Sequence, residues 1–153
     1  MTERTLVLIK PDAVQRGLVG RVLARYEDRG LKVVALKLVS VSRDLAERHY
    51  AVHRAKPFYA GLVDFLISSP LVAAVLEGPN AIAVVRAING ATRPSEAAPG
   101  TIRGDMALEV AQNIVHASDG PETSAGEVQL WFREDEIVAY EREIDRWALG
   151  PAD

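Results

Sequence analysis

Three histidines occur in the chain, and His116 stands where chemistry is easiest to build. Asn113-Ile114-Val115 reads as a strand or a tight entry into one, and Ala117-Ser118-Asp119-Gly120-Pro121 reads as a turn. A side chain at that junction is held by the strand and exposed by the loop. Ser124-Ala125-Gly126-Glu127 has the pattern of a capping box ahead of an apolar helix, which places Glu127 at a helix start facing back toward His116. An imidazole with one nitrogen free and the other fixed by a hydrogen bond is a nucleophile. Spacing alone leaves a second role open: a structural histidine beside a glutamate that only caps its helix. That is the commoner fate of a lone histidine.

Lys10, stranded at the tip of a buried strand, could be a point charge aimed at a phosphate. Neither Gly-x-x-x-x-Gly-Lys-Ser/Thr nor Gly-x-Gly-x-x-Gly occurs, which excludes both glycine-rich cradles. Lys10, Arg86, Thr92 and Arg103 supply a point charge, two guanidinium forks and a hydroxyl, the groups that clamp a polyphosphate. Each alone is more often a solvated surface residue. They act together only if the fold brings them together.

The elements that must position these residues show in the periodicity. Arg4–Ile9 is β-rich and apolar on both faces, a central strand whose tip carries Lys10, and Pro11 suits a helix first turn. Leu18, Val19, Val22, Leu23 and Tyr26 recur at helical spacing up to Gly30. Leu31–Val41 is a second strand, and Ser42 caps a short helix bearing Leu45, Ala46, His49 and Tyr50. Pro57 opens another helix, with Phe58, Leu62, Phe65 and Leu66, and Leu71–Leu76 is a third strand. Ala81–Ile88 has strand-like composition, but Asn80 in front and Gly90 behind predict a helix. Asn89–Gly104 reads as a long polar loop, Met106–Gln112 as a brief helix, and Glu127–Phe132 and Glu134–Trp147 as two more helices. The pattern suits a compact α+β sandwich.

A length of 153 residues fits one domain over 1–153, with residues 147–153 a loose or subunit-contacting tail. A net charge of −3 argues against sequence-blind nucleic-acid or anionic-membrane binding. Cysteine is absent, which excludes disulfides and thiolate metal sites. No apolar run reaches membrane-spanning length and no signal pattern opens the chain, so a cytoplasmic protein is expected.

From end to end the chain resembles a nucleoside diphosphate kinase. The resemblance is carried by Arg4-Thr5, Ile9-Lys10-Pro11-Asp12, Val14 to Gly20, His49-Tyr50, Pro57 to Val63 and Glu77-Gly78. It continues through Pro99-Gly100-Thr101-Ile102-Arg103-Gly104-Asp105, Asn113 to Asp119 and Leu130-Trp131-Phe132. The resemblance implies a ferredoxin-like α/β sandwich on a four-stranded antiparallel sheet. It also implies transfer of the γ-phosphate of a nucleoside triphosphate, ATP mainly, to a nucleoside diphosphate in ping-pong order.

Residue by residue, the resemblance makes His116 the phosphate carrier, Glu127 the carboxylate that orients it, and Ser118 the partner of that carboxylate. Lys10, Arg86, Thr92 and Arg103 correspond to phosphate-binding residues, with Lys10 and Asn113 also reaching the sugar hydroxyl, and Tyr50 to a support of the histidine pocket. Phe58 corresponds to the aromatic on which any base stacks, with Leu62 and Val110 completing that slot. The implied cofactor is Mg²⁺, held mainly by nucleotide phosphates and water with Asp119 nearby. A homo-oligomer is implied, a hexamer ahead of a tetramer. Ala13, Ala117, Gly120 and Arg93 depart from the pattern, where glycine, glycine, serine and asparagine are frequent; none is a catalytic position. An idle nucleotide-binding relative would be marked by a lost catalytic residue, and none is lost.

Overall fold

The computed structural model describes residues 2–151. Its centre is β1 (Thr2–Ile9), whose Leu6, Val7, Leu8 and Ile9 are all fully buried. Consecutive strand residues point to opposite faces, so burial of an unbroken apolar run means that both faces of the sheet are covered. Around β1 lie β2 (Lys32–Val39), β3 (Leu71–Pro79) and β4 (Val115–Ala117), in the order β2-β3-β1-β4 with every pairing antiparallel. This is the expected ferredoxin-like α/β sandwich.

Alternation sorts the side chains into two cores. Val7, Ile9, Val115 and Ala117 face α1 (Pro11–Gln15), α2 (Val19–Asp28), α5 (Ala81–Asn89) and α6 (Ile102–Met106). Leu6 and Leu8 face α3 (Arg43–His49), α4 (Tyr59–Leu66) and α7 (Pro121–Trp131). His116 pairs with Leu8 across the ladder and therefore shares the second face, toward α3 and α7.

Several sequence expectations hold in detail. Ser42 caps α3 by accepting from the Leu45 N–H at 3.1 Å, and Ala81–Asn89 is a helix stopped by Gly90 at φ +83°. Asn80 caps that helix only by position: it sits at φ +51° and makes no side-chain cap bond. The segment opened by Pro57 becomes helical at Tyr59.

Four expectations are corrected. Residues Asn89–Gly104 are not loop throughout, because a 3₁₀ turn spans Pro94–Glu96 and α6 begins at Ile102, capped by Thr101 accepting from the Gly104 N–H at 3.0 Å. Met106–Gln112 is accordingly not a helix: α6 ends at Met106, and only a 3₁₀ turn, Val110–Gln112, follows. Ser124 caps nothing, since α7 starts at Pro121 with Gly120 at its N-cap, and the Ser124 hydroxyl donates instead to the Arg4 carbonyl at 2.6 Å. Glu127 thus lies mid-helix rather than at a helix start. Gly120 has no hydroxyl to offer the cap, which is where the departure from serine acts.

The fourth correction concerns Glu134–Trp147, which is not one helix. It holds a 3₁₀ turn, Glu134–Glu136, and the short α8 (Asp145–Ala148). Between them the chain is tied along β2: the Val138 N–H donates to the Val34 carbonyl at 2.8 Å, and the Arg142 guanidinium donates to the Leu31 and Gly30 carbonyls. Those bonds outside the segment replace the internal ladder that a helix would need. Of the tail read as loose, Ala152 and Asp153 lie outside the described residues.

Candidate active site

Between β1, α3, α5 and β4 opens a cavity of about 340 Å³ lined by Lys10, Tyr50, Arg86, Thr92, Arg103, Asn113, His116, Asp119 and Glu127. A larger groove of about 660 Å³ near the start of β1 contains none of these groups. The four phosphate-binding candidates, separated by up to 93 positions in sequence, therefore line one cavity.

His116 is set by a relay behind it. Its Nε2 lies 2.7 Å from Glu127 Oε2, and the Ser118 hydroxyl donates to Glu127 Oε1 at 2.7 Å. A carboxylate only accepts, so the imidazole proton sits on Nε2 and Nδ1 keeps its lone pair. Ser118 is fully buried and fixed at the base of the sheet, where its N–H donates to the Leu6 carbonyl. Burial alone would raise the Glu127 carboxyl, but the His116 and Ser118 hydrogen bonds outweigh it and hold the group below its ordinary value. Glu127 is an anion held for His116.

The backbone just before His116 is strained. Ile114 is β-branched, fully buried and at φ +75°, a conformation that such a side chain rarely adopts. The Val115 N–H donates to the Asn113 carbonyl at 2.8 Å, closing a γ-turn around Ile114. The turn is held from outside: the Ile114 N–H donates to Asp12 Oδ2 at 3.1 Å, and the Lys10 N–H donates to the Ile114 carbonyl at 2.8 Å. It aims Asn113 into the cavity, where its carbonyl oxygen accepts from Lys10 Nζ at 2.8 Å and its amide donates to the Thr92 carbonyl at 3.0 Å.

Arg103 is the most deeply placed cation, only 8% exposed, with its guanidinium donating to the carbonyls of Gly90, Asn113 and Val115 at 2.8, 3.1 and 2.6 Å. Arg86, from the last turn of α5, is exposed at the rim. The close approach of Thr101 to Gly90 leaves no room for a Cβ there, so the helix stop and the Arg103 contact need the same glycine.

Lys10 carries a pH dependence. Burial, then the neighbouring Arg103 charge, pull its ammonium from the ordinary 10.5 down to about 8, against a smaller opposing pull from Asp12. The neutral amine attracts no phosphate, so nucleotide KM is expected to rise by up to about tenfold per pH unit above about 8, with Lys10→Met removing that dependence. Stability of the nucleotide-free protein runs the other way. Between about 8 and 10.5 the unfolded chain holds a proton that the folded one has lost, so folding is favoured as pH rises. KM profiles and urea midpoints at matched pH test both signs.

The base-slot candidates stand apart. Phe58 is 51% exposed and Val110 is 45% exposed, while Leu62 is partly buried against the second core. None of the three lines the cavity; Phe58 reaches it only through His53, whose ring is 5.5 Å away. Sequence reasoning gave no role to His49, whose ring packs 4.6 Å from that of His116 and whose only signal was its place beside Tyr50. Burial raises the Tyr50 hydroxyl to about 12, so it stays protonated. His49, His116 and Glu127 bring possible metal-ligand atoms within 4.8 Å of one another, but these atoms are already committed to hydrogen bonds with their neighbours.

The chain is similar to known proteins over nearly its whole length. Residues 3–137 match the family model described as "Nucleoside diphosphate kinase". The chain is 60% identical over 148 residues to a nucleoside diphosphate kinase of Thermomicrobium roseum, covering 97% of this chain and 99% of that one. It is 57% identical to one from Archaeoglobus fulgidus, covering 95% and 96%. The solved structure of a halophilic nucleoside diphosphate kinase from Halobacterium salinarum in complex with CDP superposes with a TM-score of 0.94 at 44% identity, covering 97% of this chain and 99% of that one. A family member from Babesia bovis gives 0.93 at 44% identity, covering 95% and 99%. The chain belongs to the nucleoside diphosphate kinase family, phosphotransferases that act between nucleoside triphosphates and diphosphates.

Proposed function

We propose that the transfer runs in two half-reactions through a phosphohistidine on His116. The His116 Nδ1 lone pair attacks the γ-phosphorus of a nucleoside triphosphate, ATP as the main donor. An N–P bond forms, the bond from that phosphorus to the β,γ-bridging oxygen breaks, and the diphosphate leaves with the electron pair. A second diphosphate then attacks the phosphohistidine in reverse. The Nε2 proton stays on the ring throughout, and the phosphorylated imidazole gains positive charge that the Glu127 carboxylate offsets at 2.7 Å. Lys10, Arg86, Thr92 and Arg103 hold the phosphate oxygens, Asn113 and Lys10 meet the sugar, and Tyr50 backs the pocket. Phe58, with Leu62 and Val110, offers a stacking face without base-edge donors, hence broad base tolerance.

Mg²⁺ fits the donor set. The cavity wall is cationic, Glu127 is committed to His116 and Ser118, and Asp119 is an exposed carboxylate on the lining. The ion would sit on nucleotide phosphates and water, with Asp119 through water, and supplies charge neutralisation when bound. The observation that carries this function is the His116–Glu127–Ser118 relay facing a wall of phosphate-binding groups. Incubation with γ-labelled ATP and Mg²⁺ is expected to give an acid-labile label that GDP removes as GTP. A folded protein that takes no label would leave only nucleotide binding.

The reading extends to assembly and place: one domain over 1–153, cytoplasmic, forming a homo-oligomer, a hexamer ahead of a tetramer. No described helix is long and apolar enough to cross a membrane. Strand β2 is an edge of the sheet; its first half is covered by residues 138–142, but Leu36 and Leu38 beyond are 52% and 67% exposed. An open apolar edge of this kind pairs readily with its own copy. Leu38→Glu is expected to halve the sedimenting mass or reduce it further, and an unchanged mass would place the subunit contact elsewhere.

A further inference from the structure

The ring of His49 is the hub of an aromatic cluster behind the nucleophile. It lies 4.6 Å from His116, 4.7 Å from Tyr50 and 5.4 Å from Trp131, each nearly perpendicular, and its side chain is 1% exposed. A phenylalanine could fill that volume. What it could not do is accept from the indole N–H of Trp131, a residue only 3% exposed, which donates to His49 Nδ1 at 3.1 Å. That nitrogen lies 3.7 Å from Glu127 Oε2, the same oxygen that receives the His116 proton at 2.7 Å. One carboxylate oxygen thus stands between two imidazoles.

We propose that Trp131 caps the His49 Nδ1 lone pair so that His49 stays neutral and the Glu127 carboxylate remains committed to His116. Both are positioning residues, and the role rests on the reading of His116 as nucleophile. With the cap in place, neutral His49 must carry its proton on Nε2. Without it, a proton on Nδ1 would face Glu127 directly and form an ion pair. His116 would then lose its orienting acceptor and gain a cation 4.6 Å away. The groups facing His49 are Glu127 from α7, His116 from β4, Lys10 from the end of β1, and Tyr50 and His53 after α3. Among the charges of Glu127, His116, Lys10 and His53, only Glu127 favours protonation; burial, His116, Lys10 and His53 oppose it and leave the imidazole at about 3.

The test is Trp131→Phe, which keeps an aromatic ring and removes the N–H. ¹⁵N imidazole spectra give the His49 tautomer and midpoint, and rapid-quench labelling with γ-labelled ATP gives the phosphorylation rate against pH. In the wild type, His49 is expected as the Nε2–H tautomer without titration above about pH 4. The rate there is expected to carry no contribution from His49 protonation. In Trp131→Phe the His49 midpoint is expected to rise by at least about one unit, and below it the rate is expected to fall by up to about a further tenfold per pH unit relative to the wild type. Trp131→Phe with His49→Gln is expected to lose that added fall whatever its absolute rate, because glutamine takes no proton.

A variant that leaves both the His49 midpoint and the slope unchanged overturns the proposal. So does a wild-type His49 protonated on Nδ1, a result that stands even if the variant does not fold. Absence of label on wild-type His116 would overturn the catalytic reading instead, while the ¹⁵N titration still reports on the cap.

Discussion

Alanine at His116 is expected to abolish the acid-labile label and to lower nucleotide-to-nucleotide phosphoryl transfer by at least about 10⁴-fold. The size follows from the site having one of everything. One cavity of about 340 Å³ is lined by Lys10, Arg86, Thr92 and Arg103. On the proposed mechanism donor and acceptor nucleotides both use those groups, so they cannot occupy it together, and direct in-line transfer between them has no geometry. The proposed carrier makes one site serve twice, so removing it is expected to remove the route rather than slow a step. Water or a small buffer nucleophile attacking bound ATP would yield free phosphate, not GTP. Separating labelled GTP from labelled phosphate therefore distinguishes lost transfer from residual hydrolysis. Retention of more than about a tenth of the wild-type GTP yield would sink the covalent route.

What could be read from the chain beforehand divides along physical lines. Strand β1 was legible because an apolar run ending at Lys10-Pro11 has few alternatives, and it correctly placed Lys10 at a strand tip beside the site. The facing of Glu127 and His116 was also legible, though for a wrong reason. Ser124-Ala125-Gly126-Glu127 has the spacing of a capping box, but Pro121 starts the helix a turn earlier and Ser124 spends its hydroxyl on Arg4. Helix α6 was hidden by Pro99-Gly100, although Thr101 three residues before Gly104 is the cap that makes it. Nothing in composition could have predicted Ile114 at φ +75°, because β-branched residues avoid that region and bonds from Asp12, Lys10 and Arg103 hold it there. The role of His49 was equally hidden. In sequence it is one more residue on a helix; only the fold puts Trp131, from 82 positions away, on its Nδ1.

Arg103→Met is expected to cost stability and rate together, by about 3–5 kcal/mol and about 10²–10³-fold in phosphorylation of His116. Its guanidinium is a fastening as well as a charge. Gly90 ends the helix that carries Arg86, Asn113 holds Lys10 and the Thr92 carbonyl, and Val115 begins the strand that carries His116; Arg103 donates to all three carbonyls. It also spans the γ-turn at Ile114, whose strain is tolerated only while both ends are held. Methionine matches the length but takes a donor from all three carbonyls, leaves Asn113 with only its γ-turn bond, and frees the turn. Lysine would restore the charge and reach fewer of the carbonyls, so Arg103→Lys should recover more of nucleotide affinity than of stability. Arg86 provides the contrast: it is an exposed cation of the same cavity, so Arg86→Met should raise nucleotide KM while shifting stability by no more than about 0.5 kcal/mol. Urea midpoints and single-turnover rates for the three variants separate a residue that only meets phosphate from one that also builds the place where phosphate is met. Equal urea midpoints for Arg103→Met and Arg86→Met would show that the three carbonyls find other partners and that Arg103 acts as a charge alone.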